Sequence, residues 1–215
     1  SYLAAHRIGD LARRHGCGLL WRPLHLPSLQ QRIGGRKPLE ENPAFVRWYT
    51  QDAQDWAALQ NLPLRFHPQY PLRNSRALRA CLHAADQGQA EAFVKLVMRK
   101  YWSEAGDISD LQQLGAWGSA CGMDSDAVSD AATDEKFKAR VEANTAEAIA
   151  RGVFGVPTVD TGAKLYFGND RLPLVEAAAL SCPLRERPAS SIWTCRPARR
   201  ASAATAKAAT PVPAT

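Results

Sequence analysis

The sequence predicts an α/β protein in which a small β portion near the C-terminal end serves a largely helical chain. Three observations carry this. Gly152-Val153-Phe154-Gly155-Val156-Pro157-Thr158 reads as a helix stop, a tight turn and a strand entered through a Val-Pro bond. Gly152 suits the left-handed position just past a helix, and an X-Pro bond is where a cis peptide is cheap and marks a tight turn. Thr158 to Asp160 and Lys164 to Phe167 are short strand candidates around Thr161-Gly162. From about residue 42 onward, the chain repeats apolar residues at three- and four-residue spacing until Gly152.

Taken in order, Ser1 to about His15 reads as a helix, with Leu3, Ala4, Ile8, Leu11 and Ala12 on one face, Ser1 as a candidate N-cap and Gly16 as the stop. Gly18 to Trp21 is a short apolar run and reads as a buried strand. A parallel strand after a helix implies a strand before it, so the first strand of the sheet is expected to precede Ser1 and to be missing from this sequence. Pro23 to Pro38 reads as a loop. Asn42-Pro43 is a cap followed by Pro at the first helical position, and Val46, Tyr49, Ala53, Trp56 and Gln60 form a stripe. Leu62 to Pro71 is extended. Asn74 or Ser75 opens a helix with Leu78, Cys81, Leu82 and Ala85. Gln87 to Gln89 breaks it before the stripe Ala92, Phe93, Leu96, Val97 and Tyr101. Asp107 caps the next helix, Asp124 to Ala131 is a short one, and Thr133 caps the last, which carries Phe137, Val141 and Ile149. After the hairpin, Asn169 or Asp170 caps a helix running to about Ala179.

Composition narrows the function. With 46% hydrophobic residues, the 215-residue chain can build a sizeable core, and no run approaches a membrane span. The net charge of +6 is concentrated in the tail. Residues 1–180 carry 21 basic and 20 acidic groups, so the body lacks the electrostatic footprint of a nucleic-acid binder. Residues 181–215 hold nine Ala and five Pro and read as a disordered basic extension. Five cysteines with scattered spacing include no Cys-x-x-Cys and no zinc pattern. They suggest a reducing compartment, the cytoplasm, and argue against dithiol redox chemistry. Five His show no metal-ligand spacing, so no metal is expected.

Strand, turn, strand and helix, with Pro entering the first strand, resemble the C-terminal half of a thioredoxin-like domain. The wording Val153-Phe154-Gly155-Val156-Pro157-Thr158 and Gly168-Asn169-Asp170-Arg171-Leu172, with Ser1-Tyr2-Leu3-Ala4 at the other end, resembles the 2-hydroxychromene-2-carboxylate isomerases. These are relatives of kappa-class glutathione transferases and of DsbA-like proteins. The resemblance covers residues 1 to about 180. It implies a thioredoxin-like fold of the DsbA and kappa-transferase type, with an all-helical insertion at about 42–122. It further implies glutathione as cofactor, a small aromatic carboxylate as substrate, and a possible homodimer.

The resemblance also implies site residues. Val156, before the Pro157 bond, would pair through its backbone with the cysteinyl part of glutathione. Gly168, Asn169 and Asp170 would hold the γ-glutamyl end, at a turn whose N–H groups favour anions. The bland reading of the same residues is a chain reversal and a helix cap. Tyr70 and Asn42 fall near family positions that face the substrate, with a cap before Pro43 as the plain alternative for Asn42. The family's catalytic serine would precede residue 1, so the catalytic residue is unknown, and Ser1 aligns with the second serine of the motif. Gly35 and Gln30 depart from residues that relatives carry near the substrate. A kappa-like transferase or peroxidase, or a truncated non-catalytic thiol-peptide-binding paralogue, are the alternative functions.

Overall fold

The computed structural model describes residues 1–35 and 42–181. Helix α1 spans Tyr2–Arg14 and α2 Leu26–Arg32. A helical run follows: α3 Pro43–Leu59, α4 Ser75–Asp86, α5 Ala90–Ser103, α6 Leu111–Ala120, α7 Ser125–Thr133 and α8 Glu135–Ala150. Strands β1 (Thr158–Asp160) and β2 (Leu165–Phe167) then form an antiparallel hairpin, in the register Thr158 to Phe167, Val159 to Tyr166 and Asp160 to Leu165. A single 3-10 turn, Asn169–Arg171, leads into α9, Leu172–Ser181. The basic extension expected over 181–215 lies, beyond Ser181, outside the described residues.

Two packing regions hold this together. The larger joins α4 to α7 around Phe93, Leu114, Val128 and Ala80, none of which has solvent-accessible surface, with Trp117 and Tyr101 at its edge. Helices α6 and α7 approach closely because Gly118 faces Val128. A Cβ at Gly118 would lie 2.6 Å from Val128 Cγ2, so the residue must be Gly. The second region, Ile8, Leu11, Val159, Leu172 and Val175, clamps the hairpin between α1 and α9. It places the N-terminal end of α1 beside the Val156-Pro157 turn. Five buried apolar side chains at this small junction contribute roughly 1.5–3 kcal/mol each.

Helix caps follow chemistry more closely than the expected positions. Asp110, Asp124 and Asp134 accept from Gln113, Ala127 and Lys136 N–H groups, as short carboxylates do at helix starts. Asp107, expected to cap α6, instead closes a turn by accepting from the N–H and hydroxyl of Ser109. The cap of α8 is Asp134, one residue beyond Thr133, whose hydroxyl donates back to the Asp130 carbonyl. Ser1 stands at the N-cap position of α1, but its side chain makes no capping bond.

Two expectations are overturned, and a third reading is refined. The segment 18–21 is not a strand. Leu20 is exposed, and no strand among the described residues pairs with it. A strand exists through its ladder partners, and an apolar run cannot form one alone. The stretch expected as a loop from Pro23 contains α2, started by Pro27 in its first turn and anchored by the fully buried Leu29. The stripe on α3 is real but does not enter the core. Val46, Trp48 and Tyr49 are exposed, and only Ala57 is buried.

Candidate functional site

The chain turns sharply at the end of α8. Gly152 takes φ 83°, which a side chain would strain, and the Val156-Pro157 peptide is cis, as the sequence led us to expect. The Pro157 carbonyl accepts from Gly168 N–H at 2.9 Å. This bond locks the turn to the 168–171 segment. Gly168 takes φ 109°, where a side chain would be strained, and a Cβ there would lie 2.5 Å from Asp170 Oδ1, so that carboxylate would have to move.

Beneath the cis-Pro turn lies a largely apolar groove of about 280 Å³. Ser1, Ala4 and Ile8 of α1 form one wall, and Val156 to Asp160 form another. Trp21 to Leu24 and the helical residues Leu78, Cys81, Val94 and Met98 complete it. Among the described lining residues, Arg22 is the sole cation. Its Nη1 donates to Asn144 Oδ1 at 3.1 Å and lies 3.8 Å from Glu147. Asn144 in turn donates to the Pro23 carbonyl, so this polar corner is fixed in place. The backbone N–H and C=O of Val156 bond to no other described residue.

The groove brings its own chemistry to almost nothing. Cys81 is the one thiol among its described lining residues, and burial pushes that thiol up to about 12. Such a group is protonated at neutral pH and inert as a nucleophile. Among the described residues, no cluster of His, Cys, Asp and Glu could hold a metal ion. Among the described residues, Cys81 and Cys121 are free.

Asp160, at the end of the Val156 to Asp160 wall, has 1% of its surface exposed. Its Oδ2 accepts from Arg151 Nε at 2.5 Å, and its Oδ1 accepts from Gly162 N–H at 2.7 Å. The pair ties the end of α8 to the hairpin and sets the strand that carries the cis-Pro turn.

Of the residues read from sequence, Val156 and Pro157 line the groove, and Gly168 is bonded to Pro157. Asn169 and Asp170 occupy the turn beside it. Neither caps a helix, because the 3-10 turn intervenes before α9, and Asp170 pairs instead with Arg171. Tyr70 and Asn42 do not line the groove. Asn42 Oδ1 accepts from Ala44 and Phe45 N–H groups at 3.0 and 3.2 Å, the plain helix cap. Tyr70 is half-exposed, its ring 6.0 Å from that of Trp102. Sequence reasoning missed Arg22, Asn144 and Glu147, because a cation at a chain bend and two helical polar residues carry no local signal of convergence.

A family model for the DSBA-like thioredoxin domain matches residues 1–179. Two 2-hydroxychromene-2-carboxylate isomerases are 33% identical to the chain. The one from Sphingobium xenophagum aligns over 186 residues, 84% of this chain and 92% of that protein. The one from Pseudomonas putida aligns over 181 residues, 83% and 87%. The chain belongs to the 2-hydroxychromene-2-carboxylate isomerase family. A solved 2-hydroxychromene-2-carboxylate isomerase superposes with a TM-score of 0.76 at 28% identity, covering 84% of this chain and 89% of that one. The DsbA-like thioredoxin fold expected from sequence is thus the fold of this isomerase family member. Its share of helix is large, and its described sheet has two strands. No helix among the described residues is long and apolar enough to cross a membrane.

Proposed function

We propose that this isomerase uses glutathione to isomerise 2-hydroxychromene-2-carboxylate or a related acid from aromatic catabolism. One observation supports the cofactor most. The cis-Pro turn offers an unused pair of backbone groups at Val156, facing a groove whose only described thiol is inert. The donor set fits a cysteinyl peptide, which can add to that edge as a short strand. When bound, glutathione supplies reversible nucleophilic addition by a thiolate, which lets a double bond of the substrate rotate and leaves the thiol regenerated.

The chain's own residues do the rest. Val156 and Pro157 orient the peptide. Gly168, Asn169 and Asp170 receive its γ-glutamyl end, with the Asp170 carboxylate opposite the ammonium. The apolar wall from Ile8 to Met98 takes an aromatic ring and excludes water from it. Arg22, held by Asn144, is suited to the substrate carboxylate. In this reading Tyr70 and Asn42 act from outside the groove and make no direct contact with its contents.

Calorimetry with glutathione tests the reading. The parent protein is expected to bind. An Asp170→Ala variant is expected to lose about 1.5–3 kcal/mol of that binding, the range for a hydrogen bond between charged groups. Equal binding by the two proteins would move the cofactor away from this turn.

A further inference from the structure

Two amides meet at the edge of the turn just described. Gln60 stands at the C-terminal cap of α3, and Asn61 behind it adopts φ 53°, so the chain reverses there and the Gln60 position is fixed. Gln60 Nε2 donates to Asn169 Oδ1 at 3.3 Å. The other two atoms of this pair, Gln60 Oε1 and Asn169 Nδ2, are buried and have no hydrogen-bond partner among the described residues. Buried polar groups are nearly always bonded, so a site that leaves one acceptor and one donor unmet side by side needs a reason. The need does not depend on which way either amide is turned. Exchanging O and N in both side chains keeps their mutual bond and again leaves one donor and one acceptor unmet.

We infer that Gln60 is a recognition residue for the α-amino-acid head of the peptide, working with Asn169; this rests on the glutathione reading above. An ammonium and a carboxylate on one carbon supply the missing donor and acceptor together. A phosphate or a plain carboxylate supplies acceptors only. Placement agrees with chemistry. Asn169 follows Gly168, whose N–H is bonded to the Pro157 carbonyl, so the amide pair lies one residue from the lock on the cis-Pro turn. Asp170, on the other side of Asn169, adds the carboxylate that an ammonium favours. The two unmet atoms have no solvent contact, so the Gln60 and Asn169 side chains must turn to meet the head. Gln60 thereby makes the site selective for a free amino-acid head over peptides that lack one.

The test is calorimetry on the parent and a Gln60→Ala variant with two ligands. One is glutathione. The other is butyryl-cysteinylglycine, which keeps the thiol, the chain length and the glycine carboxylate but lacks the α-ammonium and α-carboxylate of the glutamyl end. The variant is expected to bind glutathione about tenfold more weakly, as for a lost hydrogen bond to a charged group, and to bind the butyryl peptide as the parent does. The retained butyryl binding also shows that the variant is folded. Unchanged glutathione binding in the variant would overturn the inference and leave the glutathione site standing, as would an equal loss for both ligands. A parent that binds neither ligand would overturn the glutathione reading itself, and this inference with it.

Discussion

Asp160→Ala is expected to destabilise the protein by about 3 kcal/mol in urea unfolding, with a lower midpoint and an unchanged slope. The carboxylate is nearly inaccessible and satisfies two donors, Arg151 and the Gly162 N–H. Removing one partner of a buried ion pair costs about 3–5 kcal/mol, because the remaining charge keeps its desolvation without its counter-charge. Arg151 retains 27% side-chain exposure, so water can partly compensate it and the lower end of that range applies. Asp160→Asn keeps an acceptor for Gly162 and should lose less. The effect bears on function because the pair holds β1, and β1 follows the cis-Pro turn. Destabilisation below about 1 kcal/mol would mean that Arg151 and Asp160 do not fix the hairpin on α8.

Phe93→Ala is expected to cost about 3–5 kcal/mol, the range for emptying a large aromatic site in a core. Phe93 has no exposed surface and lies in the larger cluster with Ala80, Leu114 and Val128. Against a typical total of about 5–15 kcal/mol, that loss leaves a marginal fold at best. Phe93→Leu retains most of the volume and should cost about 1–1.5 kcal/mol. A thermal or urea transition that scarcely moves in Phe93→Ala would show that the helices around this residue do not pack as one core.

How much of this could be read from the chain depends on how local the cause is. The cis-Pro turn, the hairpin and most of the helices were legible because Pro, Gly, Asp caps and apolar spacing act within a few residues. Helix α2 was not, because seven residues with Pro in the first turn resemble a loop until Leu29 is seen to be buried. The 18–21 run failed for the opposite reason: its apolar content suggests a strand, but a strand needs neighbours. On α3 the spacing was correct, but periodicity shows a face and not what covers it. At the site, Val156, Pro157 and the 168–170 turn carry recognisable wording. Gln60, Arg22 and Asn144 acquire meaning only through residues more than a hundred positions away.

The most direct test of the account is to follow 2-hydroxychromene-2-carboxylate by absorbance with the protein, with and without glutathione, while measuring free thiol. Conversion to the open-chain trans-hydroxybenzylidenepyruvate isomer that needs both protein and glutathione, with the thiol concentration unchanged at the end, is the expected result. Conversion at the same rate without glutathione, or one thiol consumed per substrate, would contradict it and point to a cofactor-independent reaction or to a transferase.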